Sequence, residues 1–194
     1  MDVLRTMPDN AFDLAIVDPP YGIGDDKLTS GGTWAKRYKK GDCSWDIPPS
    51  KEYFEELFRI SKNQIIFGGN YFNLRPTRCF IVWDKISHLP TMADCEYAWT
   101  SFDKNAKIKQ CHRTSVLGES RIHPNQKPVA LYKWLLSNYA NPGDKILDTH
   151  LGSGSICIAC DELGFEMTGI ELDRDYYQAA RQRLANHQAQ QKLF

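Results

Sequence analysis

The stretch ILDTHLGSGS at 146–155, followed after a helix-length gap by MTGIELD at 167–173, restricts the fold more than any other part of the chain. An apolar run ends at Asp148, Gly152 and Gly154 permit a tight turn with close ligand approach, and a second run ends at Glu171, about twenty residues further on. Strand, glycine turn, helix, strand and acid in this order form a nucleotide-binding unit, whose strands lie parallel because a helix joins them. Candidate strands at 13–17, 64–68, 79–83, 95–101, 145–148 and 166–171 alternate with helical periods, which extends the unit to a mostly parallel, doubly wound α/β sheet. Ser50 is placed to cap a helix with Tyr53, Phe54, Leu57 and Phe58 on one face. Pro128 opens another with Leu131, Leu135, Leu136 and Tyr139, stopped by Asn141-Pro142-Gly143, and a last helix starts near Asp173. At 194 residues, one domain over 1–194 accounts for the whole pattern.

Two polar stretches fit no regular element. Residues 24–49 are rich in Gly, Lys and Asp, and 102–122 carry Lys104, Lys107, Lys109, His112 and Arg113. Loops of that length in a small domain are usually functional or disordered. The 24 basic and 24 acidic side chains cancel, so a polyanion has to be met by a local patch. The sequence has neither a basic-then-apolar leader nor a run of about 18 apolar residues, so export and membrane spanning are not expected and the cytoplasm is. In that reducing compartment the six scattered cysteines read as core residues. Cys157 and Cys160 lie among apolar residues with no second ligand pair nearby, so no metal is expected.

The first strand ends in VDPPYG, 17–22, which places the Asp18 carboxylate at the carboxyl edge of the sheet, where open α/β folds hold their ligands. Pro19 and Pro20 stiffen the exit and aim the Pro19 carbonyl. Two acceptors beside the aromatic face of Tyr21 suit a planar ring bearing an amino group, although Asp-Pro-Pro by itself is also an ordinary loop exit. At the other unit, Cys157 stands where the dinucleotide fingerprint has its third glycine, and no phosphate-cradling lysine motif is present. The pocket therefore suits an adenosine without phosphates, S-adenosylmethionine better than NAD, with Glu171 placed for ribose hydroxyls.

With these residues in view the chain resembles the amino-group DNA methyltransferases, which modify adenine N6 or cytosine N4. Asp18, Pro19, Pro20 and Tyr21 look like their catalytic motif, 148–154 like their cofactor loop, and HPNQKP, 123–128, like the HPxxKP element that opens their cofactor-side helix. Catalytic motif first and cofactor loop last is the order of the beta group, which implies a Rossmann-like methyltransferase fold with circularly permuted motifs. The resemblance implies S-adenosylmethionine held by Asp148, His150, Gly152, Ser153, Gly154, Glu171 and Leu172, with Asn125 and Lys127 from the HPxxKP element. Thr149 and His150 replace the usual proline and phenylalanine of the loop. Relatives carry a strand before the segment matching 1–4, ending in an acid that touches the cofactor's adenine; Asp2 is the candidate, and the sheet is then one strand short.

The resemblance also implies double-stranded DNA as partner, a flipped target base stacked on Tyr21, and a homodimer, as beta-group members often form. In WAKRYKKG, 34–41, Trp34 and Tyr38 interleave with Lys36, Arg37, Lys39 and Lys40, a pattern suited to phosphate contact with stacking. Residues 102–122, with Lys107, Lys109 and Arg113, are expected to form the target-recognition segment. Methylation at cytosine C5 needs a Pro-Cys pair, and zinc deamination an HxE with PCxxC; both are absent from the sequence. Asp rather than Ser at the first motif position favours adenine N6 over cytosine N4. A catalytically idle DNA- or cofactor-binding remnant is the reading from another class, invited by the altered cofactor loop and the short N-terminal segment.

Overall fold

Residues 14–17 are buried on both sides because helices cover both faces of the sheet to which they belong. The computed structural model describes residues 1–23, 46–86, 93–113, 122–123 and 125–191. Its sheet contains β1 (Phe12–Val17), β2 (Ser61–Phe67), β3 (Phe80–Asp84), β4 (Cys95–Thr100), β5 (Lys107–Gln110), β6 (Lys145–Asp148) and β7 (Glu166–Gly169). The order is β5-β3-β4-β2-β1-β6-β7, and only β4 runs antiparallel to its neighbours. The helices are α1 (Asp2–Arg5), α2 (Lys51–Ile60), α3 (Val129–Tyr139), α4 (Ser155–Leu163) and α5 (Arg174–Gln191).

Alternation along the strands sends side chains to two cores. Leu14, Ile16, Ile65, Phe67 and Ile146 meet α3, α4 and α5 through Leu131, Leu135, Ile156 and Ala180. Ala15, Val17, Ile66 and Leu147 meet α1 and α2 through Leu4, Tyr53, Leu57 and Ile60. The helix α2 turns Phe58 to the rim, where it is 39% exposed, and buries Ile60 instead, a change from the face expected on spacing. Ser50 does precede α2 with extended backbone, but its side chain makes no cap hydrogen bond.

The order of strands reverses beside β1. From β1 the chain builds outward through β2, β4, β3 and β5, then returns to β1's other edge with β6 and β7. The crevice at the carboxyl ends of β1 and β6 is thus the switch point of the sheet, where ligands of such folds bind.

One expectation is corrected here. The stretch 102–122 contains a strand, β5, which supplies a seventh strand that periodicity does not reveal. Three of its four residues, KIKQ, are polar and most are exposed because β5 is an edge strand paired, among the described residues, only with β3, and lysines are common where an edge must resist further pairing. Asp2 follows no described strand; it is exposed and opens α1. The other end of that helix is held by Arg59, which donates to the Leu4 and Met7 carbonyls at 3.1 and 2.9 Å.

Candidate active site at the switch point

The β1/β6 ladder pairs Leu14 with Ile146 and Ala15 with Leu147, so the exit of β1 at Asp18 runs beside the turn that follows Asp148. Around Asp18 the site is made of side chains. Tyr21 donates its hydroxyl hydrogen to Asp18 Oδ1 at 2.6 Å, and Lys127 Nζ pairs with Asp18 Oδ2. Behind Lys127 stands Glu96 at the start of β4, its Oε2 3.1 Å from Lys127 Nζ and its Oε1 2.9 Å from Lys85 Nζ. Charges therefore alternate as Asp18, Lys127, Glu96 and Lys85, drawn from the ends of β1, α3, β4 and β3. The Lys127 side chain is 4% exposed, with its ammonium 4.5 Å from the Phe67 ring centre.

Isolated charges at this depth would be strongly unfavourable, and pairing offsets that cost. Burial works against the charge of Lys127, but the Asp18 and Glu96 carboxylates outweigh it and hold the ammonium above the ordinary lysine range. Burial likewise opposes the Glu96 charge, and Lys127 and Lys85 outweigh it, keeping its carboxyl below the usual value. Sequence reasoning missed Glu96, which lies in an unremarkable strand CEYAWT, and the likeness to HPxxKP placed Lys127 with the cofactor. The structure brings Lys127 to the Asp18 carboxylate.

The aromatic wall is set by the glycines of 65–72. Gly68 has φ +67°, and a Cβ there would lie 2.1 Å from the Tyr21 ring; one on Gly69 would lie 2.4 Å from Trp99 Cβ. Tyr21 thus rests on bare backbone and stacks on Tyr71, with centroids 4.9 Å apart and planes 18° apart, while Phe72 approaches edge-on at 6.1 Å. Burial and the adjacent Asp18 raise the Tyr21 hydroxyl far above its usual range, so it stays protonated and donates. One face of Tyr21 is taken; Tyr71, 49% exposed, presents aromatic surface to solvent.

At the neighbouring corner the site is made of backbone. Glu171 Oε2 accepts the Gly152 N–H at 2.7 Å, and its Oε1 accepts the Asp173 N–H at 2.9 Å. Ile170 N–H donates to the Asp148 carbonyl at 2.8 Å, and Leu151 N–H to the Ile170 carbonyl at 3.0 Å. Gly152 and Gly154 take φ of +50° and +67°, the left-handed turn that glycine adopts freely. Ser153 is buried, with Arg183 3.0 Å from its carbonyl. His123 places its ring against Tyr176 at 4.5 Å and above Gly152, while its Nδ1 accepts the Asn125 N–H at 3.2 Å. Leu172 is fully exposed beside Glu171.

The altered residues of this turn have partners of their own. Tyr53 OH lies 2.6 Å from Thr149 Oγ1, which lies 3.0 Å from His150 Nδ1, and the Tyr53 and His150 rings meet edge-on at 5.4 Å. His150 N–H donates to Asp148 Oδ1 at 2.9 Å. Burial pushes the Asp148 carboxyl up to about 7, with the Asp18 and Glu171 charges adding to the shift and the His150 N–H opposing it. Burial lowers His150 to about 4, so its ring is neutral near pH 7.

The remaining expected contacts fall elsewhere. Trp34, Lys36, Arg37, Lys39 and Lys40 lie outside the described residues. Lys107 and Lys109 sit on β5, with the Lys109 ammonium 6.0 Å from the Trp134 ring centre, and half-buried Arg113 follows at the end of that segment. The described cysteines 79, 95, 111, 157 and 160 are free thiols, and burial pushes Cys157 and Cys160 up to about 12. Among the described residues no cluster could hold a metal ion, and no helix is long and apolar enough to cross a membrane.

A doubly wound sheet with acids at the ends of β1, β6 and β7 defines a nucleotide-binding α/β domain. A family profile described as DNA methylase, that of the N6/N4 methyltransferases, matches residues 76–182, and the chain belongs to this amino-group DNA methyltransferase family. It is 29% identical to the putative methylase YubD of Escherichia coli (strain K12), over 94% of this chain and 86% of YubD. The fold is similar to the crystal structure of the M1.HpyAVI–SAM complex, with TM-score 0.57, 22% identity and 90% of each chain covered. It is also similar to the PvuII DNA methyltransferase, described as cytosine-N4-specific, with TM-score 0.62, 13% identity, and 93% and 82% of the two chains covered.

Proposed function

We propose that this DNA methyltransferase methylates the N6 amino group of adenine in double-stranded DNA, after flipping the base out of the helix, in the cytoplasm. The observation that carries this reading is Asp18: a carboxylate at the switch point, in a DPPY motif, with Tyr21 and Lys127 fixing its two oxygens. Each oxygen keeps a further lone pair for the target amine.

The residues present fit S-adenosylmethionine. Gly152 and Gly154 admit a close approach, Glu171 has acceptor capacity left for ribose hydroxyls, Leu172 offers an apolar flank, and the acids Asp148 and Glu171 suit a cationic ligand. Bound there, S-adenosylmethionine supplies an electrophilic methyl group on a positively charged sulfur, which is released as a neutral thioether. Asp18 and the Pro19 carbonyl accept the two amine hydrogens, which frees the nitrogen lone pair from the ring; Asp18 then receives the surplus proton and passes it to water. This is positioning and charge stabilisation without a covalent enzyme intermediate. Extruding the base from the duplex costs a few kcal/mol, and the cations at 36–40 are suited to holding the backbone while it is out.

The test is incubation with labelled S-adenosylmethionine and unmethylated DNA, digestion to nucleosides and mass spectrometry. N6-methyladenine is expected; N4-methylcytosine would overturn the choice of base, and absence of product with absence of donor binding would favour an idle remnant. Asp18→Ala is expected to abolish transfer with donor affinity nearly intact, and retained turnover would remove Asp18 from its role. Replacing Lys36, Arg37, Lys39 and Lys40 together by Ala is expected to weaken DNA binding and flatten its salt dependence.

A further inference from the structure

We propose that Lys127, braced from behind by Glu96 and Lys85, is a positioning residue for the Asp18 carboxylate rather than a ligand of the methyl donor. The proposal rests on the reading of Asp18 as acceptor of the target amine. Its basis is geometric. Lys127 Nζ lies between Asp18 Oδ2 and Glu96 Oε2, is nearly sealed from solvent, and rests over the Phe67 ring, so its ammonium is already surrounded by partners from this chain.

The groups facing this ammonium make its effect on Asp18 specific. Asp18 comes from the exit of β1 and Glu96 from β4, with Lys85 beyond it; Asp148 at the end of β6 also interacts with both Asp18 and Lys127. The hydroxyls of Tyr21 and Tyr132 add no charge while protonated, and burial keeps both protonated. Asp18 and Asp148 are thus two carboxylates at one crevice, and burial, with the Asp18 charge adding, raises Asp148 to about 7. Lys127 is the cation paired with Asp18, and it fixes one oxygen of that carboxylate in place. Glu96 has a different task. It shares the lysine's charge through an ion pair, so that Lys127 does not bind Asp18 so tightly as to exclude the substrate.

The two neighbours of Asp18 therefore have opposite effects, which the experiment reads. In ¹³C-labelled protein the Asp18 carboxyl signal is assigned by its loss in Asp18→Asn and followed against pH by NMR. Lys127→Met is expected to move the midpoint up by about 1–3 pH units, since an opposite charge has been removed. Glu96→Gln removes a like charge and keeps the lysine, so its midpoint moves down. An unmoved midpoint in folded Lys127→Met, or an upward one in Glu96→Gln, overturns the proposal, and Glu96→Gln retains the test if Lys127→Met does not fold.

Turnover gives the second readout. In Lys127→Met, kcat falls about 100-fold, as for a misplaced reacting group, its acid limb moves up with the NMR midpoint, and the donor Kd by calorimetry stays within about twofold. A weakened donor Kd with an unmoved Asp18 titration would return Lys127 to the donor site and overturn the proposal. The base is read separately: a wild-type product of N4-methylcytosine would sink the adenine reading while the Asp18 titration still decides the role of Lys127.

Discussion

The two corners of the ligand edge are made of different material. The turn after β6 is closed by backbone donors, Gly152 N–H to Glu171 and Ile170 N–H to the Asp148 carbonyl, all within one βαβ unit. The corner at Asp18 is closed by charged side chains, and its central pair joins residues 109 positions apart. A corner built from main chain tolerates new side chains, which explains how Thr149 and His150 occupy the turn while its hydrogen bonds persist. A corner built from side chains has no such reserve, because its ion pairs include the buried ammonium groups of Lys127 and Lys85.

The largest effect expected to sharpen this contrast is from Gly68→Ala. Its φ is strained for alanine, and the new methyl would occupy the Tyr21 ring, so both must shift. Displacing the aromatic wall beside Asp18 by about an ångström is expected to lower transfer about 100-fold, with donor affinity retained. A variant with normal turnover would show the Asp18 corner to be as forgiving as the other.

Next comes a pair of opposed titrations in the cofactor turn. Asp148 is raised to about 7 when folded, so between its ordinary value and about 7 the folded state holds a proton that the unfolded chain has lost, and stability falls as pH rises. His150 is lowered to about 4, so between about 4 and its ordinary value the unfolded chain binds the extra proton, and stability falls as pH drops. Where the windows overlap, roughly pH 4 to 6.5, the two slopes largely cancel. Denaturant titrations of His150→Phe should unmask stability that increases on acidification, and Asp148→Asn the reverse, each with a slope approaching about 1.4 kcal/mol per pH unit. Equal, flat profiles in both variants would show that neither group titrates as its burial dictates.

Smaller effects are expected at the glycines and at Tyr53. Gly154→Ala adds a methyl 3.0 Å from Ala180 Cβ at φ +67°, whereas Gly164→Ala at φ +74° meets nothing within 4 Å. Thermal unfolding should show a loss of about 1 kcal/mol at Gly164, the cost of left-handed backbone alone, and a larger loss at Gly154. Tyr53→Phe deletes the hydroxyl that meets Thr149 and should cost about 1 kcal/mol by the same measurement, without changing donor affinity. A clear drop in affinity would mean that the turn depends on its side chains after all.

The same division explains what the sequence makes legible. The βαβ unit at 146–171 is local, its periods and glycines are contiguous, and its strands, turn and acids appear where spacing puts them. Asp18 and Tyr21 are legible for the same reason, as a strand exit in six consecutive residues. Glu96 and Lys85 are not, because their meaning arises only when β3 and β4 pair and the end of 123–128 folds back over them. The edge strand β5 lacks the apolar alternation that marks a half-buried strand, since it is held from one side and faces water on the other. Spacing also misjudged Phe58, which is 39% exposed while Ile60 on the same helix is buried.

The reversal of β4 has one further consequence. A parallel strand brings to the ligand edge only the residues beyond its carboxyl end, and those positions belong to loops whose shape can drift. β4 enters from that edge, so Glu96 stands inside a regular ladder, directly opposite Trp83, with its orientation set by pleat and register. A slip of one residue would turn it to the opposite face. The ladder thus acts as an alignment pin for the charge chain, and the pairing of β3 with β4 becomes a condition of chemistry that occurs two strands away.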